Sequence, residues 1–249
     1  MSGQTGGARR TAFRVVAGVF GVGAIGLNLP FAVTAFVDDA EAIHRLHFVA
    51  GVLGFGMLLG VSLIACAIRP DTMIGPFWVA IASGVASTIA GLISGDFISG
   101  IWFPAPIAIV VLLALHPDRD AVLHIGGLDV PTVVLAVAAL VPALAFALTQ
   151  SELQRNGSAS DPHVDFHHYS GMASYALALP LAGFAAALRV SGRRIGAWIV
   201  GVTGAGLGIS SLALSDHVGA FDPLWAWLAI AWGVAVIASA EVRRSGEAP

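Results

Sequence analysis

Eight stretches of roughly twenty apolar residues, parted by short polar segments, constrain this chain more than any other feature of its sequence. They run approximately Phe13–Val37, Leu46–Ile68, Gly75–Gly95, Ile98–Leu115, Val130–Thr149, Tyr169–Leu188, Ile195–Ser215 and Leu224–Ala240. About 20 apolar residues in a helix cross the ~30 Å hydrocarbon core of a bilayer. Helix is the expected form, because lipid offers no water to unpaired backbone groups and the period-2 alternation of barrel strands is absent. Only 11% of the residues are charged, against about 25% in soluble domains, so a single soluble core is excluded. The expected fold is therefore all-α, a polytopic transmembrane bundle of eight spanning helices. Ile98–Leu115, short and carrying Pro104 and Pro106 near its start, is the weakest of the eight.

Arginine sets the orientation. The side that holds the N-terminus, the loops around 69–74, 116–129 and 189–194, and the C-terminus collects Arg9, Arg10, Arg14, Arg69, Arg119, Arg189, Arg193, Arg194, Arg243 and Arg244. The other side keeps Arg45 and Arg155. This asymmetry places both termini in the cytoplasm of a cell membrane and requires an even number of crossings. The apolar run after Arg14 is too long for a signal-peptide core and lacks a clean cleavage site, so it counts as a span.

Composition removes several chemistries. There is no lysine, hence no Schiff base to retinal or pyridoxal phosphate and no Walker lysine. Cys66 is the single cysteine, which excludes an intrachain disulfide, a CxxC pair and a thiolate zinc site. The net charge of −3 argues against nucleic acid as a partner, leaving the lipid bilayer as the expected one.

A shift of 120 residues lays His47 on His167, Gly51 on Gly171, Arg69 on Arg189, Trp78 on Trp198, Gly84 on Gly204 and Asp96 on Asp216. Matches of rare residues at one offset point to an internal duplication. The chain then divides into a cytoplasmic tail (1–12), a first four-helix repeat (13–115), a cytoplasmic linker (116–129), a second repeat (130–240) and a second tail (241–249). Four is even, so the repeats enter the membrane in the same sense and matched residues lie at one depth.

The polar chemistry gathers on the non-cytoplasmic side. His47 and His167 open the second and sixth segments, and Asp96 and Asp216 close the third and seventh. In Asp161-Pro162-His163-Val164-Asp165-Phe166-His167-His168, Asp161 suits an N-cap and Pro162 a first helical position. On a continuous helix His163 and His167 then stack at i and i+4, while His44 and His47 stand at i and i+3. Imidazole is the commonest side-chain ligand for transition metals, and carboxylates complete or orient such sites. The expected site is an outward His/Asp cluster between the repeats, with His47 and His167 as candidate cofactor ligands. His47, His167, Asp96, Asp216, His163 and His44 are the candidate metal ligands, and the expected cofactor is zinc, copper, iron or haem b. His44, His163, His168 and His217, taken singly, suit ordinary interfacial roles.

Two four-helix repeats, each with a histidine at its second helix, resemble in plan the haem A synthases. That resemblance implies histidines on the fourth helix of each repeat and a reactive cysteine pair. Ile98–Leu115 and Leu224–Ala240 hold no histidine and Cys66 stands alone, so the likeness covers the spans and not the activity. A small-molecule or ion permease and an accessory membrane subunit are the alternatives.

Overall fold

The computed structural model describes residues 2–97 and 104–242, with side chains throughout except at 2–6 and 39–41. Trp102, Arg243, Arg244 and the Glu41 side chain fall outside that description. The helices are α1 (Ser2–Val37), α2 (Ala42–Ile68), α3 (Ile74–Ser94), α4 (Pro104–Leu115), α5 (Arg119–Leu123), α6 (Val130–Asn156), α7 (Pro162–Asp165), α8 (His168–Ala187), α9 (Arg193–Ala213) and α10 (Pro223–Val242). No strand occurs among the described residues. Among the described residues, seven helices are long and apolar enough to cross a bilayer: α1 from Gly7, α2, α3, α6, α8, α9 and α10. The remaining expected span contributes α4, whose 12 residues rise only about 18 Å; residues 98–103 lie outside the description.

Burial grades the helices from inside to outside. In α8, 89% of the most apolar window is buried, against 17% in α6 and 22% in α10, so α8 is the central helix. Its Ala, Gly and Ser positions let neighbouring backbones approach closely. The outer helices turn large apolar side chains outward: Val19 and Phe20 of α1, Val137 and Val141 of α6, Trp227 and Leu228 of α10. Soluble monomers rarely expose contiguous apolar patches above a few hundred Å², so this surface is suited to hydrocarbon.

Local chemistry sets the helix starts. Asp129 caps α6, its carboxylate accepting from the Thr132 amide at 3.2 Å and hydroxyl at 2.6 Å. In α1, Asn28 donates to the Ala24 carbonyl at 2.9 Å, two residues before Pro30. Within α2, Val52–Val61 widens into π-type hydrogen bonding, and the Tyr175 ring of α8 lies against Gly54 there.

The α9–α10 crossing depends on missing side chains. A Cβ on Gly233 would fall on the Gly201 carbonyl oxygen, and one on Gly201 would fall on that of Gly233. Backbone cannot yield as a flexible side chain can. Gly233→Ala is expected to destabilise the bundle by about 1–3 kcal/mol, the usual overpacking cost. Unfolding in mixed micelles by titration with a denaturing detergent measures this; an unchanged midpoint would contradict the crossing.

The bundle has two distinct ends. At one, Gly75 at the start of α3 donates to the Ser191 carbonyl at 2.8 Å, and Arg194 of α9 pairs with Glu241 of α10 at 2.6 Å. His116 lies at this end too: its ring packs on Phe13 (4.8 Å) and Phe77 (5.1 Å), and its carbonyl accepts from Arg9. Asp96, just beyond α3, lies at the opposite end beside His167. Six of the eight histidines, His44, His47, His163, His167, His168 and His217, lie at that second end.

Candidate metal centre

His44 ends a 3-10 turn (Asp39–His44), and His47 follows one helical turn later in α2. Both are only 4% exposed. His163 sits in the single turn α7, which starts as the sequence suggests. Asp161 Oδ1 accepts from the His163 amide at 2.9 Å, and Pro162 occupies the first helical position, where a missing N–H costs nothing. The helix does not continue from there. His167 adopts φ 56°, ψ 27°, the left-handed region, a conformation that costs a residue with a Cβ roughly 1–2 kcal/mol. This break ends α7, and α8 restarts at His168. His163 and His168, rather than His163 and His167, therefore face the same point.

Four imidazoles converge there. One ligating atom from each of His44, His47, His163 and His168 lies within 4.8 Å of all the others. Ring centroids stand 4.9 Å apart for His44–His163, 4.8 Å for His163–His47, 4.8 Å for His47–His168 and 4.7 Å for His168–His44. The Nδ1 atoms of His44 and His168 are 3.1 Å apart; a tetrahedral ion with bonds of about 2.0–2.1 Å sets its ligand nitrogens roughly 3.3–3.4 Å apart. Both ring nitrogens of His47 are buried and make no hydrogen bond. His163 is held from behind, its Nδ1 2.9 Å from Asp161 Oδ1. Tyr169 donates its hydroxyl to Asp161 Oδ2 at 2.9 Å. With Nδ1–H given to the carboxylate, Nε2 of His163 is the nitrogen left for an ion, the arrangement that orients histidine ligands in metal proteins.

Comparison of the chain with protein-family models, curated proteins and solved structures finds no match. The site's chemistry must therefore be read from its own residues.

Of the residues singled out in the sequence, His44, His47 and His163 lie in the quartet. His167 turns elsewhere: its Nδ1 lies 3.1 Å from Asp96 Oδ2, which also accepts from the Ser170 hydroxyl at 2.6 Å. Asp96 is buried at 6% exposure, holding α3 to the start of α8. Asp216 points outward with its side chain 87% exposed, 3.0 Å from His217 Nδ1; that hydrogen bond draws its pKa below the ordinary carboxyl range. The positions matched at the 120-residue offset thus hold different partners. His168 is the fourth member of the cluster, and only the break at His167 reveals it. Histidine tolerates left-handed backbone better than most residues, but nothing in the sequence marks which histidine will take it.

Asp161 also defines a pH response. Burial pushes its pKa up, but hydrogen bonds from the His163 amide and ring and from the Tyr169 hydroxyl outweigh it and hold the value below the ordinary 3.8. A depressed carboxyl contributes stability that is complete above the unfolded value and is lost as pH falls through the folded one. The clamp on His163 is therefore intact at neutral and mildly acidic pH. Imidazoles bind metal only when neutral, so protons compete for the quartet. Cobalt affinity measured by titration is expected to fall as the pH is lowered, because protons displace the ion from the rings. A flat profile would contradict imidazole ligation.

Proposed function

We propose that this chain is a multi-pass membrane protein that holds one first-row transition-metal ion, zinc or copper, between His44, His47, His163 and His168. His47 carries this reading. A buried polar group without a partner costs about 1–3 kcal/mol, and both ring nitrogens of His47 are in that position among three other imidazoles. An ion at the centre would bond one of them and the three neighbouring rings together. Four nitrogen donors suit zinc and copper.

Haem b has less support, because rings whose centroids stand 4.7–4.9 Å from their neighbours leave no slot for a macrocycle. Hydrolysis has less support as well: catalytic zinc keeps a coordination position for water, whereas four protein ligands close the sphere. The reading is therefore of an ion held for structure or electron transfer.

The same reading takes the histidine end to be non-cytoplasmic and the segment around α4 to complete an eighth crossing. Asp96 lies at the histidine end beside His167, while His116 packs on Phe77 at the other. That placement of its two flanks supports a crossing between them, and an even number of crossings agrees with the arginine asymmetry.

The test is to strip the purified protein with a chelator and titrate it with Co²⁺. Expected are one equivalent per chain and the intense visible bands of tetrahedral cobalt. Absence of saturable uptake would overturn the proposal.

A further inference from the structure

A cavity of about 380 Å³ opens beside the quartet, lined by Ala42, Ile43, Arg45, His163, Asp216, His217 and Val218. Of the four candidate ligands, His163 alone lines it. The nitrogen of His163 left for an ion, Nε2, stands 3.4 Å from the Ile43 carbonyl oxygen. Across the preceding peptide unit, the Ala42 carbonyl oxygen lies 3.0 Å from His217 Nε2. The two imidazoles thus flank consecutive carbonyls of one chain segment. Behind His217, its Nδ1 faces Asp216 Oδ1 at 3.0 Å, and the Asp216 carboxylate projects into solvent.

We propose that this cavity is the loading port of the metal centre, with Asp216 and His217 as the pair that first receives the ion and passes it to His163. The inference rests on the quartet reading. Asp216 supplies an exposed anionic oxygen that attracts a hydrated cation. His217 Nδ1 supplies a nitrogen beside that oxygen, where an ion can stand in place of the shared proton. The step is ligand exchange without redox change: the ion sheds waters for Asp216 and His217, then exchanges these for His163 Nε2 and the deeper rings. The proton displaced from between Asp216 and His217 leaves to solvent. Arg45 is the opposing charge on the cavity wall; its Nε donates to the Ala35 carbonyl at 2.7 Å, and its guanidinium lies over the Phe36 ring. A cation must pass it, so its removal speeds entry.

Rapid mixing of metal-free protein in nanodiscs with Co²⁺, followed by the visible bands of bound cobalt, tests this. Asp216→Asn and His217→Gln are expected to slow loading about tenfold, the lower range of electrostatic focusing on association rates. They leave the final spectrum and the one-to-one stoichiometry unchanged. The Asp216 effect shrinks with added salt, and Arg45→Ala loads faster than the wild type. Unchanged loading rates in both Asp216→Asn and His217→Gln would overturn the port. So would an altered final spectrum, which would make the pair resident ligands instead. Slower loading in Arg45→Ala would also overturn it, by indicating an anion path. Failure of the wild type itself to develop cobalt bands is a separate result, and it would remove the quartet along with its port.

Discussion

His47→Ala is expected to weaken metal binding by at least about a hundredfold, whereas His167→Asn is expected to leave it intact. The contrast sets the quartet against the pairing of His47 with His167 that the 120-residue offset suggests. Four-ligand zinc sites hold their ion with about 10–16 kcal/mol. A quarter share is roughly 3 kcal/mol, about a hundredfold in dissociation constant. The loss in His47→Ala should exceed that share, because the ring also fills space between His163 and His168, at 4.8 Å from each. Asparagine is the informative change at 167: it accepts left-handed backbone and can still bond Asp96. Competition against a chromophoric chelator gives both affinities, with elution volume and circular dichroism as folding controls. Wild-type affinity in a folded His47→Ala protein would end the quartet reading. Loss of metal in a folded His167→Asn protein would mean that the ligand set is wrong.

Asp161→Asn should weaken binding by about 10–100-fold, the usual effect of removing a carboxylate behind a histidine ligand. Asparagine caps a helix nearly as well as aspartate, so α7 should still start at Pro162. What is lost is the charge that fixes the proton on His163 Nδ1. Asp161→Ala removes the cap as well and should lower stability by about a further 1 kcal/mol. The readout that separates orientation from folding is the cobalt spectrum. A shifted band envelope with weakened affinity, at wild-type thermal stability, is expected for Asp161→Asn. Wild-type affinity and spectrum in that variant would show that the Asp161–His163 contact at 2.9 Å does not act on the metal.

The helical membrane bundle was legible in the sequence because its cause is local and redundant. Each span announces itself through about twenty consecutive apolar residues, and no tertiary contact is needed to make such a run unsuited to water. The cap at Asp161-Pro162 was legible for the same reason, since its donor and acceptors lie within three residues. The expected span Ile98–Leu115 was harder: its described helix is Pro104–Leu115, and the crossing proposed there leans on where Asp96 and His116 lie rather than on helix length.

Composition and spacing are enough to make the spans helical and apolar, and to crowd histidines and carboxylates at one end of them. Which of them meet is set by packing. A histidine's partners depend on where a helix breaks and how neighbouring helices rotate, and the left-handed turn at His167 shifts every later side chain of that segment to a new face. It sends His167 to Asp96 and His168 to the histidine cluster, a choice between adjacent identical residues that composition and spacing cannot express.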